Sequence, residues 1–309
     1  MLDFIKKYFK APEPQVTEAK PTEPVELLAD IRTAPLSSEQ IEMVSSVKVD
    51  FYPPQIIVGS AQSVGKQRDH NEDTLLTFNA IIADGDMGIP FGLFVIADGM
   101  GGHLHGEVAS GSAARALSEY LIKLLYPSLL GLDPEPQSDS LQEILENAVR
   151  EAQQAVLKRA PGGGTTLTAA LVIGEQVTMA HVGDSRAYFI YMDGRMQAMT
   201  LDHSLVRRLV DLGQLTEEQA RVYPQKNVLY RALGQTEPFR PDIHTHLIPH
   251  PGFVLICSDG LWGCVSDTEM FNIVTSSSNP SMACNRLVEA ANNAGGPDNI
   301  SVILVQYLG

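Results

Sequence analysis

Residues 91–103 read Phe-Gly-Leu-Phe-Val-Ile-Ala-Asp-Gly-Met-Gly-Gly-His. The run at 93–97 is short, continuous and apolar. Its side chains are mostly branched or aromatic, which predicts a strand buried on both faces. It stops abruptly at Asp98-Gly99. A carboxylate at the end of a core strand is costly unless a cation or hydrogen bonds meet it. Glycines at 99, 101 and 102 let the backbone approach whatever Asp98 meets. Asp-Gly is also a favoured hairpin turn pair, so a turn is the competing reading. The residues after Gly102 carry helical spacing, which a simple hairpin does not explain.

The same ending recurs along the chain. Residues 253–257 form a second apolar run, and Ser258-Asp259-Gly260 follows it. Gly183-Asp184-Ser185-Arg186 follows the strand pattern at 176–182, and Pro297-Asp298-Asn299 precedes a last one at 300–307. Upstream, the polar run Arg68-Asp69-His70-Asn71-Glu72-Asp73 feeds a strand pattern at 74–78. By composition alone that run is a solvated loop. Asp84-Gly85-Asp86 has no comparable strand leading into it and reads as a surface turn. Several carboxylates at the ends of apolar strands suggest convergence on a hard cation. Oxygen-only donors suit Mg²⁺, Mn²⁺ or Ca²⁺ rather than zinc. No EF-hand loop pattern is present, which disfavours calcium.

The remaining pattern is mixed. A strand is expected at 55–61. A helix after Gly106 has a small early face and ends before Pro134 and Pro136. Ser140-Leu-Gln-Glu143 opens a second helix as a capping box, and Pro161-Gly-Gly-Gly164 closes it. No Gly-Lys-Ser/Thr follows those glycines, so they are not a phosphate loop. Strands at 165–173 and 176–182 flank the Gly174-Glu175 turn, and another at 187–191 precedes Asp193-Gly194. Tight turns between successive strands mean antiparallel pairing. Residues 201–234 read as an irregular helical segment fit to be a flap. A strand at 243–248 follows. Ser266 and Asn279-Pro280 start the last two helices, and Gly295-Gly296 stops the second.

Residues 1–54 stand apart. Residues 1–10 are amphipathic, with Leu2, Ile5 and Phe9 on one face and Lys6, Lys7 and Lys10 polar. That fits docking on a partner; stable membrane anchoring needs a second signal. Pro12, Pro14, Pro21 and Pro24 then mark a disordered linker. We place the globular domain at 55–309. The net charge of −15 disfavours nucleic acid and anionic membrane as partners. Cys257, Cys264 and Cys284 form no CxxC, and read as buried thiols of a reducing compartment. No signal-peptide pattern or membrane-length apolar run is seen, so the expected location is the cytoplasm.

Arg68 with Glu72-Asp73, Asp98-Gly99, Gly164-Thr165-Thr166, Gly183-Asp184-Ser185-Arg186, Ser258-Asp259-Gly260 and Asp298-Asn299 occur in a fixed order. In that order they resemble the motifs of metal-dependent protein phosphatases, the PPM or type 2C serine/threonine family, in its bacterial form. The resemblance spans residues 55–308. It implies an α+β fold, a four-layer α-β-β-α sandwich of two antiparallel sheets with helices on both outer sides. It implies that Asp98 bridges two Mn²⁺ or Mg²⁺ ions, with the Gly99 carbonyl on one and Asp259 and Asp298 on the other. Glu72 and Asp73 would hold metal-bound waters, and Asp184 with Asp259 a third ion. Arg68 would bind the substrate phosphate, which a water or hydroxide bridging the two ions attacks directly. Arg68, Asp73 and Asp98 are thus the implied catalytic set. Animal members carry a histidine directly after this Asp-Gly; Met100 stands there instead, leaving the general acid unassigned. His70 and His103 read as structural or solvent-facing, and Arg186 and Arg231 as structural. Phosphoproteins and a cognate serine/threonine kinase pathway are the implied partners. Two other readings are a pseudophosphatase that binds phosphoproteins without turnover and an acidic cation-binding structural protein.

Overall fold

The computed structural model describes residues 53–84, 87–101, 104–130, 132, 139–235 and 239–309. All of these lie in one compact unit, Phe51–Gly309. The segment at 1–10, the linker prolines, Gly85-Asp86, His103, Pro134 and Pro136 fall outside the described residues.

Ten strands form two five-stranded sheets. The first runs β1 (Gln55–Ser63), β12 (Ile300–Leu308), β11 (Gly252–Cys257), β8 (Arg186–Tyr191), β9 (Met196–Ala198). The second runs β10 (Asp242–Leu247), β7 (Gln176–Val182), β6 (Leu167–Ile173), β3 (Met87–Ala97), β2 (Thr74–Asp84). A short pair, β4 (Gly99–Met100) with β5 (Gly164–Thr165), stands apart from both. Every pairing is antiparallel. The first and last strands are partners, Gln55 opposite Leu308 and Ser63 opposite Ile300.

Strand alternation builds the layers, because successive side chains point to opposite faces. In β11, Val254 and Ile256 face a core shared with Phe94, Ile96, Val172 and Phe189, which lies between the sheets. Phe253, Leu255 and Cys257 face the other way, under α6 (Asp267–Ser276) and α7 (Pro280–Asn293). On the opposite side α1 (Leu104–Leu129) and α2 (Leu141–Arg159) pack together, and α1 covers β2 and β3. The small Ala109 and Ala113 lie on the buried stripe of α1, followed by Leu117, Leu121 and Leu125. Tyr126 meets Phe78 and Phe91 with ring centroids 5.4 and 6.2 Å away. Burying each large apolar side chain contributes roughly 1.5–3 kcal/mol. The sandwich is the α-β-β-α architecture expected from the resemblance.

Local signals fare well where they have a mechanism. Ser140 caps α2 with Glu143 as a full capping box, and Ser266 and Asn279 cap α6 and α7. β2 and β3 are longer than their apolar runs suggest, pairing out to Asp84 and Met87. Pro90 interrupts the pattern in β3 but not the strand. Its carbonyl accepts from Gly174 N at 2.9 Å, in the β6–β7 turn, so its missing N–H falls beyond the ladder. Residues 201–235 hold only two short helices, α3 (Leu205–Asp211) and α4 (Glu217–Arg221). Main-chain bonds at Leu205–Val228 and Tyr230–His203 tie the two ends of this segment together. Asp98-Gly99 is not a hairpin: the chain runs on through β4 and into α1. Cys257 and Cys284 are buried free thiols; Cys264 is half-buried, because it follows the short helix at the rim rather than lying within a strand.

Candidate metal centre

Five chain segments deliver acids to one rim of the sandwich. Asp98 leaves the end of β3, and Glu72-Asp73 precede β2. Asp184 sits in the β7–β8 turn. Asp259 starts α5 (Asp259–Trp262) directly after β11, and Asp298 lies just before β12. The cleft they form is ≈ 440 Å³, and Arg68, Glu72, Asp98, Gly99, Asp184, Asp259 and Asp298 line it. Asp73 is buried and does not line the cleft.

Neutral residues hold this arrangement. Thr166 Oγ1 accepts from Asp98 N at 2.9 Å, and Thr166 N donates to the Asp98 carbonyl at 2.9 Å. The Asn299 side chain joins distant segments. Its amide donates to the carbonyls of Val64 and His70 at 2.8 and 3.0 Å, and its oxygen accepts from Glu72 N at 2.8 Å. Ser301 Oγ donates to Asp73 Oδ2 at 2.7 Å. Gly99 is confined by the carbonyls of Gly106 and Glu72, which any Cβ there would strike. Its backbone can approach a ligand only because that side chain is missing.

Crowding shows in the titration of these acids. Burial first, then the neighbouring Asp73, Asp259, Asp184 and Asp298, hold the Asp98 carboxyl well above the usual range. Asp184 is likewise held well above it, by burial and then by Asp259. Burial lifts Asp73 to about 7 against the opposing bonds from Ser301 and Ser258. Asp259 rises to about 6, through burial and Asp298, while a hydrogen bond with Asp98 pulls it down. Asp73 Oδ1 and Asp259 Oδ1 are buried without any hydrogen-bond partner. Such orphaned acceptors are costly unless something electropositive meets them. Among the described residues, no three acidic, histidine or cysteine side chains are already drawn together closely enough to hold an ion. The acids stand around the cleft as mutually repelling groups, with an all-oxygen donor set that a hard divalent cation fits.

Arg68 is half-exposed at the rim and donates to Asp298 Oδ2 at 2.7 Å. His70 lines the same cleft, with Nε2 3.0 Å from Glu72 Oε1, so it is more closely tied to the site than a solvent-facing histidine. Arg186 and Arg231 are structural. Arg186 grips Asp202 through two bonds of 2.9 and 2.7 Å, and Arg231 bonds Asp242 at 2.7 Å. Sequence reasoning did not single out Thr166 as a support for Asp98, nor Ser301 or Trp262. Ser301 and Trp262 lie three residues from Asp298 and Asp259, whereas Thr166 lies in the Gly164-Thr165-Thr166 motif far from any acid in sequence.

The family model described as "Protein phosphatase 2C" matches residues 58–300. The serine/threonine phosphatase stp of Listeria welshimeri is 35% identical over 250 residues, covering 78% of this chain and 92% of that protein. The crystal structure of the Mycobacterium tuberculosis serine/threonine phosphatase PstP/Ppp matches with a TM-score of 0.66 and 32% identity, over 81% of this chain and 98% of that one. A structure of the PstP catalytic domain in complex with two manganese ions matches at a TM-score of 0.66 and 31% identity, over 83% of this chain and 100% of that one.

Proposed function

Since the chain belongs to the protein phosphatase 2C family, we propose how its cleft residues divide the work of that family's reaction. The protein is a metal-dependent serine/threonine phosphatase, and its substrates are phosphoproteins. One observation carries the residue assignment. Asp98, Asp184, Asp259 and Asp298 line one cleft, with buried oxygens of Asp73 and Asp259 left unpartnered. Divalent cations, when bound, supply Lewis acidity to a phosphoryl oxygen and lower the pKa of a water toward neutrality. Asp98 would bridge two of them, the Gly99 carbonyl would hold one, and Asp259 and Asp298 the other. Glu72 and Asp73 would orient waters, and Asp184 with Asp259 would take a third. Both Mn²⁺ and Mg²⁺ suit such donors. Hydrolysis of a phosphothreonine peptide with and without Mn²⁺ tests the assignment. A folded wild-type chain that shows no manganese-dependent release of phosphate overturns it.

Arg68 has a defined task in this scheme. Its guanidinium offers a planar fork to phosphate oxygens, and only one of its nitrogens is engaged by Asp298. Asp298 also anchors the arginine in place before substrate arrives. Arg68→Ala is expected to lower kcat/KM by roughly 10–100-fold, the worth of one or two charged hydrogen bonds. Steady-state kinetics on the peptide decide this, and unchanged kcat/KM would return Arg68 to a surface role.

We also place the catalytic domain at 55–309, with residues 1–54 outside the chemistry. β1 begins at Gln55 and the family match at residue 58. Deleting residues 1–54 is expected to leave peptide hydrolysis within a few-fold of the full chain. Loss of folding or of nearly all turnover would move that boundary. A serine/threonine kinase must generate such a substrate. The free thiols of Cys257, Cys264 and Cys284 support a reducing cytoplasm as the location. No described helix is long and apolar enough to cross a membrane.

A further inference from the structure

The only tryptophan of the chain, Trp262, is placed where it touches two acidic segments at once. It ends the four-residue helix α5, which Asp259 begins. Its indole Nε1 donates to the main-chain carbonyl of Asp184 at 3.0 Å. Residues three apart on a helix share a face. One turn of helix therefore spans from the Asp259 carboxylate to the contact that holds Asp184. The Asp184 turn is tight, since Gly183 has φ of 107°. A fixed carbonyl in that turn fixes the peptide from which the Asp184 side chain projects.

The indole is itself clamped. The Arg186 guanidinium lies 3.6 Å from the ring centroid. Asp202 holds that guanidinium flat through two bonds, at 2.9 and 2.7 Å. The Tyr188 hydroxyl accepts a third from it at 3.2 Å. A planar cation stacked on indole is a favourable contact in its own right. The set Asp202, Arg186, Trp262 and Asp184 thus forms a connected chain ending at the cleft. Asp184 and Asp259 both line the cleft. The indole bond ties the turn that carries Asp184 to the helix that carries Asp259.

We infer that Trp262 is a positioning residue, whose N–H holds Asp184 at the distance from Asp259 needed to share one weakly bound divalent cation. The inference rests on the proposed assignment of Asp184 and Asp259 to a third cation position. It adds the device that sets their spacing, and it makes the single tryptophan a reporter of occupancy there.

The test is a Mn²⁺ titration of the full chain. Free Mn²⁺ is read by electron paramagnetic resonance, and tryptophan emission is followed in parallel. The wild type is expected to bind a tight and a weak class of Mn²⁺, with emission quenched in step with the weak class. Trp262→Phe keeps a ring beneath Arg186 but lacks the donor. Its weak-class Kd is expected to rise roughly 2–10-fold, the worth of one neutral hydrogen bond, with the tight class unchanged. A purely structural indole would lower the melting temperature and leave both classes as they were, which overturns the inference. Emission that tracks only the tight class, or does not change, overturns it without any variant, so a misfolded Trp262→Phe does not block the test. Absence of all Mn²⁺ binding in the wild type removes the metal-centre assignment together with this inference. Normal tight binding with an unaltered weak class in Trp262→Phe removes this inference alone.

Discussion

Asp98→Asn is expected to abolish phosphopeptide hydrolysis and to flatten the response of stability to manganese, both in one variant. Asp98 ends the core strand β3, and burial and four neighbouring aspartates hold its carboxyl well above the usual range. An asparagine amide has nearly the same shape and can donate in the same direction. Its cost without metal is therefore small, and the fold should survive. With metal the outcome differs, because an amide cannot bring the negative charge that a bridging ligand must supply. Activity should fall roughly 10³-fold or more, about 4 kcal/mol, within what a bound cation contributes to such a step. Manganese should raise the melting temperature of the wild type and barely move that of the variant. The measurements are thermal unfolding with and without Mn²⁺, and turnover of a phosphothreonine peptide. An Asp98→Asn enzyme that keeps its manganese-dependent stabilisation and its turnover would end the two-ion assignment.

The second large effect is an opposite pH dependence for the metal-free and metal-loaded protein. Asp73 and Asp259 bind a proton more tightly in the folded chain, with pKa values of about 7 and about 6. Unfolded aspartates sit near ~3.9. A raised folded value contributes stability that is full below the unfolded value and is lost as pH rises through the folded one. Chelated protein should therefore weaken as pH climbs from about 5 to 8. Between pH 8 and pH 6 the loss from Asp73 is on the order of 1 kcal/mol, a few degrees in melting temperature. Manganese competes with those protons, so its stabilisation should be largest at pH 8 and shrink toward pH 6. At a hundred times Kd it amounts to about 2.7 kcal/mol. Melting curves in chelator and in manganese should converge as pH falls. A chelated protein whose melting temperature is flat between pH 6 and 8 would contradict the buried-acid account.

Much of the fold was legible because its signals are local. The strand at 93–97, the turn at Gly174-Glu175 and the caps at Ser140, Ser266 and Asn279 each follow from a few adjacent residues. Asp98, Asp184 and Asp259 stood out as acids after apolar strands, whereas Glu72, Asp73 and Asp298 precede strands and were singled out by the order of the motifs. The supports were not. Asn299 bonds Glu72, His70 and Val64 across more than 220 residues, and no periodicity encodes such a contact. The helix Asp259–Trp262 is one turn long, too short to carry a helical repeat. Residues 201–234 read as irregular and helical and hold two short helices, and their remaining order comes from tertiary ties such as Tyr230 to His203, which no amphipathic stripe encodes.

The pairing of β1 with β12 has a consequence for the order in which the enzyme comes into being. Synthesis runs from the N-terminal side onward, so Gln55–Ser63 is made long before Ile300–Leu308. In its sheet β1 has β12 as its strand neighbour, so it waits without that partner until residues 300–308 have been made. Asp298 and Asn299 immediately precede β12, so the acid set and the amide that joins its loops arrive at the same late moment. A chain that stops short of Asp298 lacks that acid, the Asn299 amide and β12, and so has no complete cleft. Phosphatase activity is thereby withheld from nascent chains in which β12 has yet to form.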